Sequence, residues 1–61
     1  MKVCMNDQEV ILVPGATVKH ALTAAGLIHE IEKGKKVYDE FGNEIGLDGA
    51  LAEGEKIYVK L

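Results

Sequence analysis

The chain has 61 residues, which is room for one domain (1–61) and no more. A single cysteine, Cys4, rules out an internal disulfide. A domain this small buries only roughly 60% of the surface its unfolded chain exposes, so a compact core must hold it together; a hydrophobic fraction of 48% supplies one. The net charge is −3, the pI is near 5.2 and there is no arginine. That balance argues against nucleic-acid binding, which draws on a basic stripe.

The opening run Met1-Lys2-Val3-Cys4-Met5 lacks the apolar stretch of a signal peptide. No segment approaches the roughly 20 apolar residues of a membrane span. The expectation is a cytoplasmic protein without membrane contact.

Val3 and Met5 alternate with Lys2, Cys4 and Asn6, which is strand periodicity. Asn6-Asp7-Gln8 supplies turn chemistry, and Glu9 to Val13 is a β-branched apolar run, so a hairpin is predicted. Pro14-Gly15 stops the second strand. Thr17 is a helix N-cap, and Val18, Ala21, Leu22 and Ala25 repeat at helical spacing on one face. Gly26 is placed to end the helix in the left-handed conformation, with Leu27 as the contact after it. Leu27 to Ile31 reads as a further short turn, and Glu30 to Gly34 as a surface connection.

A third strand starts at Lys35 to Tyr38. Asp39-Glu40-Phe41-Gly42-Asn43 fits a type I turn closed by a left-handed glycine. That register sets Val37 opposite Ile45, both inward, whereas a two-residue loop would put Glu40 opposite Ile45 and waste the apolar face. Ile45 and Leu47 make a short fourth strand. Its edge could pair with a second copy, giving a weak homodimer, although its shortness and acids favour a monomer. Leu51 is expected to be buried between the turns Asp48-Gly49 and Glu53-Gly54. Ile57, Val59 and Leu61 face inward on a last strand, with Tyr58 outward.

The order is β-β-α-β-β-β, an α+β chain without repeats or linkers. The pattern suggests a mixed sheet whose terminal strands pair in parallel at its centre, with one helix packed across one face. The run Val13-Pro14-Gly15-Ala16-Thr17-Val18, with Asn6-Asp7-Gln8 before it and Ala21-Leu22 and Gly26-Leu27 after it, resembles the start of many β-grasp (ubiquitin-like) proteins. The run from Leu51 to Val59 resembles their closing element. Bacterial sulfur carriers of thiamine and molybdopterin synthesis look like this, as do TGS domains and the first part of plant-type ferredoxin modules.

The resemblance covers nearly the whole chain. It implies the β-grasp fold, which hosts many activities. Sulfur carriers act through a C-terminal Gly-Gly, whereas the sequence ends Tyr58-Val59-Lys60-Leu61. A plant-type iron–sulfur cluster needs four thiolates, and only Cys4 is present. The expectation is a non-catalytic interaction module without a cofactor, whose partner is another protein. A degenerate sulfur carrier and a small-ligand-binding β-grasp domain are the alternatives.

Lys2, Cys4, Tyr58 and Lys60 are expected to share the sheet face that the helix leaves uncovered, which ubiquitin-like domains commonly use for protein contacts. The plain reading is a solvated sheet exterior. For Cys4 it is an inert, half-buried thiol. Phe41, the only Phe, sits at a hairpin tip, where an exposed aromatic can anchor a partner. The commoner alternative for one apolar residue folds it back over the sheet edge against Tyr38 or the segment after the helix. Between Val37 and Glu55 lie Asp39, Glu40, Glu44, Asp48, Glu53 and Glu55 with no base among them, an acidic end that could steer a basic partner. His20 and His29 lack the further ligands a zinc site needs, so no metal is expected.

Overall fold

The computed structural model describes residues 1–61 as an α+β fold. The elements are β1 (Lys2–Met5), β2 (Gln8–Ile11), α1 (Val18–Ala25), α2 (Ile28–Glu32), β3 (Lys36–Asp39) and β4 (Lys56–Lys60). The strands form one mixed sheet in the order β2-β1-β4-β3. The central pair, β1 and β4, is parallel, and each outer pair is antiparallel. Two chain ends far apart in sequence thus form the middle of the sheet.

The first hairpin turns on Asn6 and Asp7, at φ 50° and 67°. Positive φ at both central residues is the type I′ geometry, whose twist matches that of the flanking strands. Asn and Asp tolerate this region better than other non-glycine residues.

Thr17 stands in extended conformation before α1. His20, three residues on, turns its ring back so that Nδ1 accepts the Thr17 N–H at 3.0 Å. The N–H groups of Val18 and Lys19 have no partner within the helix. They donate instead to the carbonyls of Gly49 and Leu47, each at 3.0 Å. At the other end Gly26 takes φ 75°. Leu27 N–H then reaches the Leu22 carbonyl at 2.8 Å and Gly26 N–H the Thr23 carbonyl at 3.2 Å. That pair of bonds is a Schellman motif.

Val3, Met5, Val10, Val37, Ile57 and Val59 point from the sheet to one side, where Val18, Ala21 and Leu22 of α1 cover them. Leu51 closes the core from its loop. Ile28, Ile31, Ile45 and Leu47 pack around its margin.

Four sequence expectations need correction. Ile45 to Leu47 is not a strand: only one bridge, Tyr38 to Glu44, and the Ile45 N–H to the Val37 carbonyl at 2.9 Å tie it to β3. The chain then leaves the sheet because the Leu47 carbonyl is taken by the start of α1. The sheet therefore has four strands rather than five. Ile28–Glu32 is a second short helix, with His29 inside it, where a turn and a surface connection were predicted. Its Glu30 holds Lys35 at 2.6 Å and Lys33 at 3.3 Å, which draws the following loop against it. Leu61 is 87% exposed rather than inward, since it follows the last paired residue of β4.

The hairpin register is as the pattern requires. Asp39 N–H meets the Asn43 carbonyl at 2.9 Å and Gly42 N–H the Asp39 carbonyl at 3.1 Å. Gly42 sits at φ 86°. Val37 accordingly faces Ile45.

Candidate functional site

Packing α1 on one side leaves the other side of the sheet open. Register decides what stands there. On β1, Lys2 and Cys4 alternate with the buried Val3 and Met5. They stand beside Ile11 and Glu9 of β2. On β4, Lys56, Tyr58 and Lys60 alternate with the buried Ile57 and Val59. Cys4 is paired with Lys56 across the parallel ladder. On β3, Lys36 lies opposite Lys60 and Tyr38 opposite Tyr58. Glu44 extends the row beyond Tyr38.

The face thus joins Lys2, Cys4, Tyr58, Lys60 and Glu44 from the sequence-derived candidates. It adds Lys36, Lys56, Tyr38, Ile11 and Glu9, which strand pattern alone did not single out. Their signal was present in the alternation of Lys56-Ile57-Tyr58-Val59-Lys60 and Lys36-Val37-Tyr38. What was missing was the pairing that brings the rows side by side.

Four of the seven lysines are on this face against two carboxylates, a surplus of positive charge on a chain whose net charge is −3. Glu9 lies 3.9 Å from Lys2 and Glu44 3.9 Å from Lys36. At that distance and exposure such pairs contribute little stability. Lys60 Nζ sits 5.2 Å from the Tyr38 ring centroid, within cation–π range. Lys56 makes no ion pair. Tyr38 and Tyr58, paired across the strands, are half-buried, and Ile11 is 65% exposed at the margin.

Phe41 and Glu40 stand apart from the face, at the tip of the β3 hairpin. Phe41 does not fold back over the sheet edge: it is 81% exposed. The backbone of the loop is held by its own bonding. Asp39 Oδ1 accepts the backbone N–H of Phe41 and of Asn43, each at 2.9 Å, and Oδ2 lies 3.3 Å from Asn43 Nδ2. The Asn43 N–H, above all, holds the Asp39 carboxyl below its ordinary value of 3.8 against the opposing effect of burial.

The acidic end also divides by role. Glu53 Oε2 accepts the Lys2 N–H and Glu55 Oε1 the Ala52 N–H, each at 3.0 Å. Asp39 and Glu55 fasten turns, Glu53 ties its loop to β1 and Glu44 pairs with Lys36, which leaves Glu40 and Asp48 as the unbonded acids.

No three His, Cys, Asp or Glu side chains gather as a metal-binding group. His20 and His29 are engaged locally, with Thr17 and with Glu32. A hollow of about 150 Å³ lies at the β3 edge of the sheet, between Ile31, Val37, Ile45 and Leu47 with Lys36 and Glu44 at its rim. Pockets that hold drug-sized ligands run from roughly 300 to 1,000 Å³. No helix is long and apolar enough to cross a membrane. The chain matches no family model, and no curated protein or solved structure is significantly similar to it.

Proposed function

We propose that the chain is a non-catalytic protein-binding module of β-grasp architecture, and that it binds through the open face of its sheet. Two features support the architecture. The terminal strands pair in parallel at the centre of the order β2-β1-β4-β3, and α1 crosses one face while the other stays bare. That is the layout the sequence resemblance implies.

The observation that carries the binding role is the composition of the bare face. Tyr38 and Tyr58 lie paired at its middle, flanked by Lys36, Lys56 and Lys60, with Cys4 and Ile11 beyond. Tyrosine offers a large contact area with little conformational entropy to lose, and it is enriched where proteins meet. Centre and rim are arranged as in interfaces whose anchors are ringed by polar groups.

The test is affinity capture from native extract, comparing the unaltered protein with Tyr58→Ala and Phe41→Ala. The Tyr58 ring points away from the core, so its loss should leave the circular dichroism spectrum unchanged. The expected result is a discrete partner that Tyr58→Ala loses and Phe41→Ala keeps. Capture indifferent to Tyr58 would overturn the reading, and capture lost only with Phe41→Ala would move the site to the hairpin tip.

A further inference from the structure

We infer that the open sheet face takes an acidic protein segment, with two carboxylates set against Lys56 and Lys60 and an apolar side chain between them over Tyr58. The inference rests on the protein-binding reading above and adds the partner's chemistry.

The argument begins with which cations are free. Of the four lysines on the face, Lys2 and Lys36 each have a carboxylate from the same chain, Glu9 and Glu44. Lys56 has none, and Lys60 has only the Tyr38 ring. Both lie on β4, which is inside the sheet rather than at its edge. They stand two residues either side of Tyr58, all three on one face. At about 3.3 Å per residue the two lysine Cα atoms are roughly 13 Å apart, with the tyrosine midway.

An extended segment carrying acids four positions apart has the same spacing. Its central residue, pointing the same way, falls over Tyr58. Each charge pair would be flanked by an aromatic ring that lowers the local dielectric, where attraction exceeds its value in open water. The face is positive while the chain as a whole is negative. An acidic partner is therefore drawn to this face and repelled from the remainder, which fixes orientation as well as contact. A polynucleotide carries a phosphate at every nucleotide, so some of its charges would fall against Glu9 and Glu44, whereas a segment with two carboxylates four positions apart meets Lys56 and Lys60 alone.

The experiment is a titration of ¹⁵N-labelled protein, followed by amide shifts, with three probes. The first is a synthetic peptide with a Glu-Thr-Val-Thr-Glu core. The second is the same peptide with Lys in place of both Glu. The third is a single-stranded oligouridylate. The acidic peptide should shift Lys56, Tyr58, Lys60 and Tyr38, more strongly at 20 mM than at 150 mM salt, because screening shortens the reach of exposed charges. The double variant Lys56→Glu/Lys60→Glu should weaken it by about tenfold or more, and the basic peptide should not bind.

Absence of shifts at millimolar acidic peptide, shifts confined to the Phe41 loop, binding unaffected by the double variant, or tighter binding of the oligouridylate would each overturn the inference. Should it fail while Tyr58→Ala still abolishes capture of a partner, the protein-binding reading stands and only the acidic chemistry falls.

Discussion

The side chain of Asn6 continues the parallel ladder beside Val59 after the backbone of β1 has turned away. Cys4 N–H meets the Glu55 carbonyl at 2.9 Å and Asn6 N–H the Ile57 carbonyl at 3.0 Å. At the next step Asn6 Oδ1 accepts the Val59 N–H at 2.8 Å, with Nδ2 a long 3.5 Å from the Val59 carbonyl. One residue therefore serves both the turn, through its positive φ, and the centre of the sheet.

Substitution separates the two roles. Asn6→Gly keeps the turn and leaves Val59 N–H without its partner, at a cost of about 1–2 kcal/mol. Asn6→Ala adds left-handed strain of about 1 kcal/mol. Asn6→Asp keeps the acceptor and should be the mildest. Urea unfolding gives the order, and a neutral Asn6→Gly would show that the contact with Val59 adds nothing.

The β3 hairpin should loosen in acid. The carboxyl of Asp39 is held below 3.8 by the N–H groups it accepts, and that of Glu30 below 4.5 by Lys35 and then Lys33. A lowered folded value means that the ionised form is the one the fold favours. The stabilisation is thus complete above the ordinary values and is lost as pH falls through the lowered ones. Amide shifts of Phe41 and Asn43 should move together below about pH 4, in the range of ordinary carboxylates. Asp39→Asn should flatten that response, and an unchanged profile in the variant would assign it elsewhere.

At the start of α1, His20 occupies the position where a capping box carries Glu or Gln. His20→Glu should keep the acceptor for Thr17 N–H and add a negative charge at the positive end of the helix. The expected gain is about 0.3–1 kcal/mol, read as a higher melting temperature at neutral pH. A lower one would mean that the imidazole ring packs in a way glutamate cannot replace.

Phe41 should be expendable for folding. Its ring is open to solvent and the loop is held by backbone bonds to Asp39, so Phe41→Ser should change stability by less than about 0.5 kcal/mol. Leu22→Ala is the opposite case. Leu22 is fully buried beneath the sheet, and its truncation should cost about 2–5 kcal/mol, enough to unfold much of a population this small in core. Urea unfolding compares them directly, and equal losses would contradict the burial described for both.

Much of the local structure was legible because it rests on near neighbours. The turn at Asn6-Asp7, the limits of α1 at Thr17 and Gly26, and the register from Val37 across Gly42 to Ile45 all follow from periodicity and turn chemistry within a few residues. The inward position of Leu51 followed from its place between two turns. Lys2, Cys4, Tyr58 and Lys60 could be assigned to one face because strand alternation settles sidedness.

Other features depended on contacts between distant parts of the chain. Ile45 to Leu47 has strand-like residues, yet the donors of Lys19 and Val18 claim the carbonyls of Leu47 and Gly49 and draw it out of the sheet. Glu53 reads as surface charge but binds the Lys2 N–H, and Asn6 reads as a turn residue but reaches Val59. The basic surface arises only when β4 lies between β1 and β3, bringing Lys36 and Lys56 beside Lys2 and Lys60. The sequence by itself determined the hairpins, the limits of α1 and the sidedness of each strand, because those interactions act over a few residues. Only the tertiary structure decided which rows adjoin and which polar groups meet, because those bonds form between segments up to about fifty residues apart and depend on a register that local pattern does not carry.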